Sequence, residues 1–275
     1  MDHEDLLRRA ADVVRGADAL LIGAGAGMGV DSGLPDFRGA QGFWRAYPLY
    51  AKLGLDFQAM ANPRWFHEDP AFAWGFYGHR LHLYRETVPH QGFALLRRWA
   101  ERMQHGAFVF TSNVDGQFQK AGFAEDRLVE IHGSIHHVQC LAGCPEIGSA
   151  DPFAVEIDPE TMRAQEPLPK CDRCGELLRP NILMFGDGWW DGSRTDVQEG
   201  RLERWLGGLR NAKVCVIECG AGTAIPSVRN FCERLAHAGG GALVRINVRE
   251  HGVPPDGIGI PLGALAALAG IDAAL

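Results

Sequence analysis

Apolar positions first recur with helical spacing. Leu6, Leu7, Ala10, Ala11, Val13 and Val14 fall along residues 4–15 and predict an amphipathic helix. The pattern then changes to an unbroken apolar run at 19–22, as expected of a strand buried on both faces. Short β-rich runs follow at 107–111, 128–132, 182–185, 213–217 and 242–246. Between the runs at 19–22 and 107–111, Phe72, Phe76, Tyr77, Arg80, Leu81, Tyr84 and Arg85 recur at three- and four-residue steps and predict a helix over 70–87. Further helices are expected over 93–104, 201–209 and 228–238, while 42–50 is aromatic without a clear period. Strands alternating with helices predict an α/β fold, a parallel sheet with helices on both faces.

Ligands of such sheets collect beyond the carboxyl ends of the strands. The run at 19–22 enters Gly23-Ala24-Gly25-Ala26-Gly27-Met28-Gly29, four glycines at every second position. Bare backbone there admits a phosphate to main-chain N–H groups. The dehydrogenase spacing G-x-G-x-x-G is absent, since its last glycine would be Met28 or Val30, and no Gly-Lys-Ser/Thr of a P-loop follows. Instead the chain continues Pro35-Asp36-Phe37-Arg38, where Arg38 offers paired donors to a pyrophosphate and Phe37 can shield a reactive carbon from water. Other strand ends carry Thr111-Ser112-Asn113-Val114-Asp115, His132-Gly133-Ser134, Gly220-Ala221-Gly222-Thr223 and Asn247. Asn113 and Asp115 suit either a carboxamide such as nicotinamide or a plain helix cap. His132, at a strand end, is placed to act as a base near neutral pH, and His136 and His137 are read as structural.

Composition narrows the choices. At 275 residues and net charge −7, the chain has no basic tract fit for a nucleic acid and no run long enough to span a membrane. Its acidic first residues lack the features of a secretory leader, so a cytoplasmic protein is expected. Four of the seven cysteines form two close pairs, Cys140 with Cys144 and Cys171 with Cys174. Four thiolates so spaced suit one closed, structural Zn2+ site. Cys215, Cys219 and Cys232 are expected in the core. No linker or repeat divides the chain, so a second module would be an insertion.

Taken together these segments resemble the sirtuins. Residues 25–38 resemble the signature GAG-x-S-x-x-SGIPDFR, with Gly29 where the family has Ser. Residues 111–122 resemble TQNIDGLHxxAG, with Ser112, Gln117 and Phe118 replacing Gln, Leu and His. His132-Gly133-Ser134 matches the family's HGS, and 171–187 resembles CxxCGGxLRPxVVxFGE with Asp187 for Glu. Gly222-Thr223 resembles the GTS turn, with Ala224 for Ser, and Ile246-Asn247 resembles the family's IN pair.

The resemblance implies a Rossmann-like domain from 1–45, 90–135 and 181–275, interrupted by a helical and zinc-binding module from 46–89 and 136–180. It implies NAD contacts from Gly25, Ala26, Gly27, Gly29, Asp36, Phe37, Arg38, Ser112, Asn113, Asp115, His132, Gly222, Thr223 and Asn247. It also implies catalytic roles for His132, Asn113 and Asp115. The activity implied is NAD-dependent removal of an acyl group from lysine of a protein or peptide, with nicotinamide released and the acyl group passed to ADP-ribose. Phe76-Tyr77-Gly78-His79-Arg80 resembles an FYxxR pattern that in some sirtuins recognises acidic acyl groups such as succinyl, through Tyr77 and Arg80 here. An ADP-ribosyltransferase or NAD hydrolase of the same fold, and an NAD-binding sensor of low turnover, are the other readings left open.

Overall fold

The computed structural model describes residues 2–36, 43, 45–238 and 241–275, so Phe37 and Arg38 lie outside the described residues. Strand β1 (Ala19–Ala24) is buried along its whole length and sits inside a sheet of six. Its neighbours are β2 (Ala107–Thr111) with β3 (Leu128–Glu130) beyond on one side. On the other lie β7 (Val214–Cys219), β8 (Ala242–Ile246) and β9 (Ile258–Ile260), and every pairing is parallel.

Alternation along β1 divides the apolar side chains between two layers. Leu20, Ile22 and Ala24 pack with helices His3–Arg15, Gln91–Ala100 and Ala264–Ala273. Ala19 and Leu21 face the side covered by Ser193–Gly207 and Ser227–Ala238. The two-residue period of a strand thus builds two cores from one continuous apolar run. Cys215, Cys219 and Cys232 are buried in these layers, as expected.

A second assembly is built from two insertions, one between β1 and β2 and one between β3 and β7. Strands β4 (Gly133–Cys140), β5 (Gly148–Ser149) and β6 (Leu178–Ile182) form a small antiparallel sheet. They pack with helix Pro70–Glu86, which is buried on nearly all sides in a separate aromatic core. Pro70 opens this helix and Asp69 caps it, accepting from the Phe72 amide at 3.2 Å. Trp74 Nε1 donates to the Leu178 carbonyl at 2.8 Å and fastens the helix to β6.

Two sequence expectations need correction. The run 182–185 is no strand of the parallel sheet: only Ile182 is in a strand, and that strand pairs antiparallel with β4. His132 does not end its strand, since β3 stops at Glu130 and His132 occupies the turn before β4. Gly133 makes that turn, with φ of +75° and the Asn181 carbonyl oxygen 2.0 Å from where a Cβ would stand. A side chain there would displace β6.

Candidate active site

With the antiparallel insert set aside, the strand order is that of a doubly wound sheet whose direction of progress reverses between β1 and β7. The loops leaving those two strands face each other closely. The Gly25 amide donates to the Cys219 carbonyl at 3.0 Å, and the Gly27 amide to the Gly220 carbonyl at 3.1 Å. A Cβ on Gly25 would lie 2.6 Å from Ala221 Cα, and one on Gly27 2.7 Å from Gly220 Cα. The alternating glycines therefore let backbone meet backbone, and they set the loop spacing before any ligand arrives.

A cleft of about 980 Å³ opens over this junction. It is lined by Gly25, Ala26, Leu34 and Asp36 after β1, by Ser112, Asn113, Val114 and Asp115 after β2, and by His132. Gly220 to Ile225, with Arg249 and Glu250, form one wall, and Leu183 to Phe185 with Tyr77, Arg80 and Tyr84 form the other. Gly27, Gly29 and Asn247 stand behind the wall. A Cβ on Gly29 would meet Leu34 at 3.1 Å. Buried Asn247 donates to the Ala221 carbonyl at 2.9 Å, while its oxygen accepts from the amides of Arg249 and Glu250. It sets the course of two wall segments.

Several fixing contacts carried no sequence signal. Asp31 caps helix Ala264–Ala273, accepting from the Leu265 amide at 2.7 Å. His90 bonds the Met28 carbonyl at 2.9 Å through Nε2, and its amide donates to Ser32 Oγ. Asn113 donates from Nδ2 to the Gly25 carbonyl at 3.0 Å, so part of its bonding capacity is spent joining the loops of β2 and β1. Arg249 reaches Asp36 at 2.9 Å across the mouth, and the Thr223 hydroxyl donates to Glu250.

Two titratable groups in the cleft are displaced in ways that matter. Burial holds the His132 imidazole below its ordinary pKa, against a hydrogen bond to the Ser112 backbone that works the other way. It is neutral at physiological pH and can accept a proton. Burial pushes the Asp115 carboxyl up to about 6; the Gln117 amide and Arg80 oppose this, while Glu130 adds to it. His136, read as structural, bonds the Asp115 carbonyl at 3.0 Å through Nε2. Phe118 packs between Phe93 and Phe123 and serves the core.

The four paired cysteines converge. Their sulfurs all lie within 4.8 Å of one another, and those of Cys140 and Cys174 are 3.5 Å apart. Sulfurs about 3.8 Å apart are what a tetrahedral site with Zn–S near 2.3 Å requires. Cys140 ends β4, and a turn holds the other pair, the Gly175 amide donating to the Cys171 carbonyl at 2.8 Å. The cleft also fits a dinucleotide. The backbone N–H groups of Ala26 and Gly222 border it and make no hydrogen bond among the described residues, the feature a phosphate cradle needs.

Sheet order and strand-end cleft, with four clustered cysteines that could hold a metal ion, define an α/β protein of the dinucleotide-binding class. Residues 25–201 match the model of the Sir2 family, and the chain belongs to that family. It is 31% identical over 256 residues to NAD-dependent protein deacylase 1 of Archaeoglobus fulgidus, covering 92% of this chain and 89% of the relative. It is 26% identical over 255 residues to an NAD-dependent protein deacylase of Thermococcus sibiricus, covering 91% and 88%. Against the mitochondrial sirtuin-5 deacylase of Danio rerio it is 32% identical over 187 residues, 62% of this chain and 58% of the relative. A crystal structure of a Sir2 homologue in complex with NAD superposes with a TM-score of 0.71 at 25% identity, covering all of this chain and 94% of the other. Among the described residues no helix is long and apolar enough to cross a membrane.

Proposed function

We propose that this protein is an NAD-dependent protein-lysine deacylase that transfers the acyl group to ADP-ribose and releases nicotinamide. The observation that carries the reading is the meeting of His132, Asn113 and Asp115 in one cleft with the loops of β1 and β7. NAD, when bound, supplies an activated ribose carbon to which the acyl oxygen can bond. Ala26, Gly222 and Thr223 would hold its phosphates over the bare backbone of Gly25, with Asp36, Ser112 and the residues behind the wall shaping the remainder. Asn113 and Asp115 would orient the carboxamide, and Asp115, half-ionised near pH 6, would face developing positive charge on the ribose. His132 stays neutral and would take the proton of a ribose hydroxyl. Cys140, Cys144, Cys171 and Cys174 would hold one Zn2+, which stiffens the insert and takes no part in the reaction. The division into a discontinuous sheet domain and an inserted module belongs to the same reading, with the acylated lysine entering between them.

The acyl end of the site is read as accepting a terminal carboxylate. Tyr77 is buried beside the cleft, and its hydroxyl has no partner among the described residues. The Arg80 guanidinium lies 5.3–5.9 Å from the rings of Phe57, Phe76, Tyr77 and Tyr84. A buried cation framed by aromatic faces, with a hydroxyl donor nearby, suits succinyl better than acetyl.

Incubation with NAD and acetyl- and succinyl-lysine peptides, read by mass spectrometry, tests both parts. Acyl-ADP-ribose is expected, and His132→Ala should abolish it while NAD still binds. ADP-ribosylated protein, free ADP-ribose or no product would each replace the deacylase reading. Equal turnover of both peptides by wild type and Arg80→Met would remove the acidic-acyl part alone.

A further inference from the structure

Tyr84 stands one turn beyond Arg80 on helix Pro70–Glu86 and lines the same cleft. Its hydroxyl oxygen accepts two hydrogen bonds from one guanidinium, from Arg80 Nε at 3.1 Å and from Nη2 at 2.8 Å. Both lone pairs are then engaged, and what the hydroxyl has left to give is its proton. Among the described residues that proton has no acceptor, although Tyr84 is only 5% exposed. Tyr77, three residues before Arg80, likewise keeps a hydroxyl with no partner among the described residues.

Two consequences follow from the pair of bonds. They fix the rotation of a planar fork that would otherwise turn about several single bonds, so the cation is oriented before a ligand arrives. They also withdraw electron density from the Tyr84 O–H and make it a stronger donor. The wall of the cleft thereby holds a fixed cation and two hydroxyls, of Tyr77 and Tyr84, each with a proton left to donate.

We infer that Tyr84 is a specificity residue of the acyl pocket, which orients Arg80 and donates its own hydroxyl to the terminal carboxylate of a dicarboxylic acyl-lysine. This rests on the acidic-acyl reading of Tyr77 and Arg80 given above.

The test is the ratio of kcat/KM for a succinyl-lysine peptide to that for the same peptide carrying acetyl. In Tyr84→Phe the ring and its packing remain, while two charged hydrogen bonds and a donor are lost. The ratio is expected to fall about tenfold or more, mainly through KM for the succinyl peptide. Tyr84→Gln, which keeps an acceptor and a donor, should recover part of it, and this variant decides the matter should Tyr84→Phe fail to fold. A ratio unchanged in both variants, with Arg80→Met lowering it, overturns the role of Tyr84 and leaves the acidic-acyl reading intact. A ratio indifferent to Arg80→Met as well overturns both.

Discussion

Arg249 Nη2 and Asp36 Oδ2 lie 2.9 Å apart and join the segments that follow β8 and β1 across the mouth of the cleft. Both side chains line the opening, and Arg249 is largely exposed. An exposed pair of this kind contributes less than about 1 kcal/mol to stability, so its value lies in placing the rim. Arg249→Ala should move the melting midpoint by no more than about 4 °C while raising KM for NAD several-fold. Unchanged KM in steady-state assays would show that the pair does not shape the dinucleotide site.

Gly27 separates two explanations of the glycine loop. If its only task were to admit a phosphate, Gly27→Ala would weaken NAD binding and leave the ligand-free protein as stable as before. The structure places Gly220 Cα 2.7 Å from the added Cβ, with no flexible side chain to yield. The variant should therefore lose on the order of 2 kcal/mol without any ligand present, read by urea denaturation. Wild-type stability with weakened NAD binding would favour the phosphate explanation.

Asp115 should cost the fold stability where it is ionised. Its carboxyl titrates at about 6 in the folded chain, above the ordinary 3.8. Folding therefore favours the protonated form, and this contribution is lost as pH rises through about 6. The amide introduced by Asp115→Asn is uncharged at every pH, and its oxygen can still accept from the Gln117 amide, as the carboxylate does at 2.9 Å. The variant should match wild type near pH 4 and exceed it by up to about 3 kcal/mol at pH 8, with turnover reduced. Denaturant titrations at the two pH values check this; no gain at pH 8 would mean the carboxylate is better solvated than its surroundings indicate.

The cysteine centre should be separable from the chemistry. Cys171→Ser or a strong chelator should remove close to one zinc per chain, measured by atomic absorption. The melting midpoint should fall on the order of 10 °C, because β4, β6 and the turn between the paired cysteines lose a common anchor. A metal-free protein with the wild-type midpoint would contradict a structural role.

Much of the molecule was legible where a pattern repeats. The helix expected at 70–87 is observed as Pro70–Glu86, and the runs at 107–111 and 242–246 are β2 and β8. The small sheet was not legible. In β4, Gly133 to Cys140, two histidines interrupt the apolar residues, and a register shift between Ser134 and Val138 breaks any two-residue period. Strand β9 has three residues, and helix Ala264–Ala273 is apolar all round, so neither presents a face to a periodicity search. At the site, residues at strand ends were found because topology places them there. Asp31, His90, Arg249 and Tyr84 were not, since each acts through a partner distant in sequence or, for Tyr84, through a hydroxyl bond that spacing does not disclose.

Helix Pro70–Glu86 belongs to the aromatic core of the insert, while the glycine loops, Asn113 and Asp115 leave the strands of the parallel sheet. Its far end is anchored too, Arg85 donating to the carbonyls of Ala150 and Phe153. What the site reads and what it does are thus written on two different scaffolds. On the reading proposed above, exchanging the side chains at 77, 80 and 84 would alter the menu of acyl groups while leaving the sheet, its loops and His132 in place. Under that proposal, a lineage carrying this architecture would change its substrates without rebuilding its reaction.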